Sequence, residues 1–170
     1  MIFMTYTTPR SFDDLVMTSD GEVLTGLFFT GSRKLDARET GCSQAKLPVF
    51  QECCRWLDIY FSGREPGFLP PYRLDGVTAF RLEVSRLMLE IPFGKTVTYG
   101  ELAKELAHRM GMPKMSAQAV GGAVGWNPLC IIIPCHRVVG ANGKMTGYGG
   151  GLDNKVALLA HERRGKDHTR

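Results

Sequence analysis

The sequence predicts a two-part chain: a small mixed α/β unit over residues 1–75 and a mainly helical unit over residues 76–170. Three observations carry this. Residues 23–30 (VLTGLFFT) are β-prone and apolar, and a helical pattern opening at Pro48 follows them. Residues 63–77 (GREPGFLPPYRLDGV) are rich in proline and glycine and read as a connector. Beyond Gly94, two short helical patterns are joined by a polar turn, an arrangement that suggests a helix-turn-helix.

The elements follow in order. The β-prone stretch comes after the turn signal Ser19-Asp20-Gly21. Pro48 stands where a helix can begin, because its missing N–H would be unpaired there in any case. Phe50, Cys54, Leu57 and Phe61 then recur at helical spacing, and Ser62-Gly63 ends the pattern. Cys53 and Cys54 fall inside this amphipathic helix and read as packing residues, not as a redox pair. A second helix places Phe80, Val84, Leu87 and Met88 on one face and stops at residues 91–94 (IPFG). A third begins at Thr98, whose spacing to Glu101 fits a capping box. After a turn with Gly111 and Pro113 comes 116–125 (SAQAVGGAVG), built almost wholly of small residues. Each glycine there costs a helix about 1 kcal/mol relative to alanine. Such a segment suits a helix that lies close to another backbone or enters a groove.

Hydrophobic residues at 44% and charged residues at 22% are those of a globular protein, and the formal charge is +4. Residues 1–90 hold 10 Lys and Arg against 12 Asp and Glu, whereas residues 91–170 hold 11 against 5. The basic excess therefore sits in the second half, where a polyanion-binding module would carry it. The cysteines (Cys42, Cys53, Cys54, Cys130 and Cys135) are odd in number and two are adjacent, which argues against a secreted disulfide framework. No CxxC pair, no histidines at zinc spacing and no GxGxxG motif occur, so neither a metal nor a cofactor is expected. No apolar run is long enough to span a bilayer, and residues 1–10 are too short and polar for a signal peptide; no membrane partner and a cytoplasmic location are expected. Residues 1–3 read as an optional extension, since Met4 would also serve as a start.

Chemistry concentrates at residues 126–140 (WNPLCIIIPCHRVVG). The run 131–133 reads as a strand-like piece ending at Pro134, with a cysteine, a histidine and an arginine directly after it. Flanking apolar residues place Cys135 inside the domain. A thiol becomes a strong nucleophile as thiolate, and a neighbouring base or cation favours that form.

PCHR within IIIPCHRVVG resembles the active-site signature of the O6-alkylguanine-DNA alkyltransferases, also called methylated-DNA–protein-cysteine methyltransferases. The likeness runs from about Phe80 to His161, through IPFGKTVTYGELA, SAQAVGGAVGWNP, IIIPCHRVVG and GYGGGLDNKVALLAHE, in family order. It implies a winged-helix fold for the second unit, and double-stranded DNA carrying alkylated guanine as the partner of a monomeric protein. Cys135 would accept the alkyl group in a single turnover, with O4-alkylthymine a further candidate substrate. His136 would take the thiol proton through a water, and Glu162 would orient and charge-balance His136. Asn127 would bridge the recognition helix and the active-site segment, and Tyr99 would donate to the departing guanine. Tyr148 and the backbone of Gly147 to Gly150, Gly149 among them, would wall the pocket for a flipped base, with Lys155 near that wall and Val138 a further substrate-binding residue. Ser116, Ala117, Gln118 and Arg137 would meet DNA. Two departures stand out: Gln118 replaces a common arginine, and Gly149 a common serine. The stretch between Leu106 and Ser116 is also longer than in short members of the family.

Other classes fit parts of the chain. A non-catalytic alkylation-damage binding protein would share the fold but lack the acceptor cysteine. A helix-turn-helix regulator would have no use for PCHR in an apolar setting. A thiol hydrolase would use a similar Cys–His–acid relay but release product over many turnovers.

Overall fold

The computed structural model describes residues 1–32 and 46–167; Cys42 lies outside them. Three antiparallel strands, β1 (Ile2–Tyr6), β2 (Leu15–Ser19) and β3 (Leu24–Phe29), form a meander in sequence order. The segment read as an optional extension belongs to this sheet, since Ile2 pairs with Ser19 and Met4 with Met17. β2 is buried along its whole length, while β3 sends Leu24, Leu27 and Phe29 into the core. Each such side chain contributes about 1.5–3 kcal/mol of apolar burial.

Helix α1 (Pro48–Phe61) starts at the expected proline. Its buried face is rotated slightly from the expected one: Val49, Phe50, Cys53, Trp56, Leu57 and Tyr60 are buried, whereas Cys54 and Phe61 are partly exposed. Burial holds the Cys53 thiol protonated, consistent with a packing role. Helix α2 (Ala79–Leu89) is capped by Thr78, whose hydroxyl accepts from the Arg81 amide. Next come β4 (Val97–Thr98) and α3 (Tyr99–Arg109), whose capping box is complete: the Thr98 hydroxyl accepts from the Glu101 amide, and Glu101 accepts from the Thr98 amide. Ser116 caps α4 (Ala117–Trp126), which packs against α2 and α3. The chain closes through β5 (Val138–Val139) and α5 (Leu152–Asp167). No helix among the described residues is long and apolar enough to cross a membrane.

Residues 131–133 are not a strand. Leu129 makes a single bridge to Leu27, and the chain then turns. Ile131 stands at φ 68, and the Ile132 amide donates to the Cys130 carbonyl at 2.8 Å, which closes a γ-turn. Pro134, at φ −80 and ψ 63, sits in a second such turn of the unstrained hand, closed by the Cys135 amide on the Ile133 carbonyl. Holding a β-branched residue at positive φ costs about 1–3 kcal/mol, and the surrounding burial must supply it. Apolar runs carry no period, so three isoleucines could not announce this turn.

Two contacts fix the site within the fold. The parallel pairing of β4 with β5 matches Val97 to Val138 and Thr98 to Val139. It brings Tyr99, which follows β4, alongside Cys135–Arg137, which precede β5. On the other side, the Leu27 amide donates to the Pro128 carbonyl, and the Cys130 amide to the Leu27 carbonyl, tying the active-site loop to the sheet. Farther down α5, an added Cβ at Gly165 would lie 2.3 Å from the Gly63 carbonyl oxygen, so only glycine lets α5 seat against the end of α1.

Candidate active site

Cys135 opens a 3-10 turn, Cys135–Arg137, and is 6% exposed at the base of a pocket of about 40 Å³. Tyr99, Gly121, Gly125, Asn127, Cys130 and Tyr148 are among the lining residues. Two of the glycines that make α4 a poor isolated helix therefore form pocket wall. The Asn127 side chain, directly after α4, donates to the Ile133 carbonyl at 2.8 Å, the Leu129 carbonyl at 3.3 Å and Cys135 Sγ at 3.1 Å. Its Oδ1 accepts from the Leu129 amide at 3.0 Å. One buried amide thus pins both arms of the strained loop and touches Cys135.

His136 is fully buried, and its Nε2 lies 2.6 Å from Glu162 Oε1. A carboxylate at that distance fixes the tautomer with the proton on Nε2. Nδ1 has no hydrogen-bond partner among the described residues and is the nitrogen free to take a proton. Burial, opposed by Glu162, pushes the His136 imidazole below its ordinary value and keeps it neutral. Glu162, also fully buried, accepts from Arg137 through Nε and Nη2 and from the Gly94 amide at 2.9 Å. Burial alone would raise this carboxyl. The hydrogen bonds from His136 and Arg137, together with the Arg137 charge, outweigh it and hold Glu162 well below the usual carboxylate range.

Arg137 is placed differently from the expectation that it meets DNA. It is 7% exposed, and its guanidinium is turned inward onto Glu162 and, through Nη1, onto the Ile91 carbonyl at 2.6 Å. A buried carboxylate needs a cation more than the surface does, and Arg137 answers that need. Val138 likewise stands behind the pocket rather than lining it, while Lys155 lies close to the pocket wall. The buried Lys155 ammonium donates to the Val138 and Thr146 carbonyls at 2.7 and 3.1 Å, 6.0 Å from the ring centres of Tyr99 and Tyr148. Burial lowers its pKa. Tyr148, Gly147 and Gly149 line the pocket as expected. Burial raises both tyrosine hydroxyls, so Tyr99 and Tyr148 face the pocket as neutral donors. Ser116, Ala117 and Gln118 are exposed together at the start of α4.

Sequence reasoning missed two groups. Cys130 lines the same pocket as Cys135. Tyr60, from α1, donates its hydroxyl to Glu162 Oε1 at 2.8 Å. Its signal was available, because a tyrosine on the buried face of a helix must find a partner for its hydroxyl.

A family model for the DNA-binding domain of 6-O-methylguanine DNA methyltransferase matches residues 79–164. The methylated-DNA–protein-cysteine methyltransferase of Methanosarcina acetivorans is 43% identical over 135 residues, covering 79% of this chain and 81% of the relative. Among solved structures, the O6-methylguanine methyltransferase of Mycobacterium tuberculosis superposes with a TM-score of 0.79 at 38% identity, covering 95% of this chain and 92% of the other. The structure of Mycobacterium tuberculosis OGT in complex with DNA gives 0.78 at 36% identity, covering 96% and 93%. These likenesses lie over the residues that assemble the Cys135 pocket, and the chain belongs to the methylated-DNA–protein-cysteine methyltransferase family.

Proposed function

We infer that the protein repairs alkylated DNA directly, moving the alkyl group of O6-alkylguanine onto Cys135. The observation that carries this is a buried cysteine at the base of a tyrosine-walled pocket, next to a neutral histidine held on an ionised carboxylate. The thiol proton passes through a water to His136 Nδ1. Sulfur attacks the alkyl carbon, the carbon–oxygen bond breaks, and its electron pair leaves with guanine O6. The Tyr99 hydroxyl donates to the departing base, and the proton held at His136 balances the charge. A thioether remains, which has no facile leaving group, so each molecule acts once. Glu162 keeps Nδ1 of His136 free, and Arg137 keeps Glu162 ionised.

The target atom faces the interior of a duplex, so the nucleotide must be extruded to reach Cys135. The reading assigns residues 76–170 a winged-helix role, with α3 and α4 as helix-turn-helix, and residues 1–75 a scaffolding role. The acting unit is a monomer in the cytoplasm. Ser116, Ala117 and Gln118, exposed at the start of α4, meet the DNA, and Gln118 fills the vacated stack without bringing a charge. A Gln118→Arg variant is expected to bind duplex more tightly and to steepen the dependence of log K on log salt by about 0.9. Equal slopes for the two proteins would remove Gln118 from the interface.

The deciding experiment is intact-protein mass spectrometry after mixing with a duplex carrying one O6-methylguanine. The expected result is a stoichiometric gain of one methylene's mass on the Cys135 peptide, absent from Cys135→Ala. Tight lesion binding with no mass gain would favour the damage-binding reading instead.

A further inference from the structure

Glu162 is the anchor of the relay, and its donors come from three parts of the chain. Arg137 and His136 come from the 3-10 turn, the Gly94 amide from the loop before β4, and the Tyr60 hydroxyl from α1. Tyr60 bonds the same oxygen, Oε1, that meets His136 Nε2. We propose that Tyr60 is a positioning residue of the alkyl-transfer relay, which sets the basicity of His136 by sharing Oε1. The assignment rests on the alkyl-transfer reading above.

Donors that share one carboxylate oxygen compete for its charge. Oε1 also accepts from Arg137 through Nε at 3.1 Å and Nη2 at 3.0 Å, and each donor added to one carboxylate oxygen weakens its pull on the imidazole proton. With the phenol in place, Oε1 stabilises an imidazolium at His136 less than it otherwise would. Tyr60 itself is not a rival base: burial, with the Glu162 charge beside it, holds its hydroxyl protonated. The ring is held to a narrow range of positions by Trp56, stacked at 5.6 Å between centroids, and by Phe93, edge-on at 5.9 Å. Its backbone carbonyl meets His161 Nε2 at 2.8 Å. The other charged groups that bear on His136 are Arg137 and Lys155, both of which disfavour its protonation. Neither of these lies on α1, so Tyr60 gives the first part of the chain a direct contact with the carboxylate of the proton relay.

The test is the pH dependence of single-turnover transfer to an O6-methylguanine duplex, together with the His136 imidazole titration followed by NMR. In Tyr60→Phe, the His136 pKa and the acidic limb of the rate profile are expected to move up together by roughly 0.5–1 unit. Replacing Tyr60 with 3-fluorotyrosine, a more acidic and stronger donor of nearly the same shape, is expected to move both downward. This second variant keeps the buried bond, so it remains informative if the phenylalanine protein folds poorly. A wild-type protein that transfers the methyl group, with both variants holding the wild-type limb and His136 pKa, overturns the role of Tyr60. A wild-type protein that does not transfer at all overturns the reading beneath it.

Discussion

Replacing Glu162 with glutamine is expected to destabilise the protein by about 3–5 kcal/mol, because it strands the Arg137 guanidinium in the interior without a counter-charge. Transfer should fall by roughly 10²–10⁴-fold, the range for a base that has lost its orienting carboxylate. A Glu162→Gln, Arg137→Met double variant should recover much of the stability and none of the rate, since the stranded charge is gone while His136 remains unsupported. Urea unfolding of the three proteins, beside single-turnover rates, reads both quantities. A single variant within 1 kcal/mol of wild type would mean that the Arg137–Glu162 pair is not what holds this junction.

The same carboxylate predicts how stability responds to acid. Glu162 has a depressed pKa in the folded protein, so its contribution is complete above the unfolded value, about 4.3, and is lost as pH falls from there toward the folded value. His136 is depressed too, but from an unfolded value of about 6.5, so stability begins to fall below that pH as the unfolded chain gains a proton the folded one refuses. Two separate losses are therefore expected on acidification, the first set by His136. In Glu162→Gln the lower one should shrink to the smaller contributions of the exposed carboxylates Asp20, Asp75, Glu90 and Glu101, which their hydrogen bonds also hold below the usual range.

Asn127→Ala should cost about 2–4 kcal/mol and lower transfer by roughly 10²-fold. The stability loss comes from buried backbone groups left unpaired at Leu129 and Ile133, and the rate loss from a misplaced thiol. The γ-turn at Ile131 is strained and has Asn127 on both of its arms, so removing the amide lets it relax and carry Cys135 away from His136. Asn127→Asp separates the two functions of the side chain. The carboxylate can still accept from the Leu129 amide, but it faces the Ile133 and Leu129 carbonyls with no proton to offer. It should impair transfer as severely as alanine does. Wild-type transfer rates in the aspartate protein would assign the loop's geometry to its packing alone.

Much of this arrangement was legible in the sequence where the determinants are local. The capping box at Thr98 and Glu101, the proline that opens α1 and the PCHR motif each act over a few residues, and each stands where expected. The misreadings share a cause, which is that the deciding partner is distant. Residues 131–133 look like a strand until Asn127 and Leu27 bend them into turns. Arg137 looks like a surface cation until Glu162, 25 residues later, draws it inward. Tyr60 goes unnoticed for the same reason, because the carboxylate that accepts its hydroxyl is 102 residues away. Carboxylate burial is a property of the assembled core, and no short window of sequence contains it.

Glu162 stands 26 residues after His136 and lies on α5, the last helix described. Cys135 and His136 are therefore synthesised before the carboxylate that organises them. Until α5 docks, drawn in past Gly63 by the bare backbone of Gly165, the imidazole has no fixed tautomer and the thiol no prepared base. On the alkyl-transfer reading, in which each molecule acts once, Cys135 is expected to stay an ordinary thiol in the incomplete chain. Its reactivity is expected only once the pocket around it is also complete.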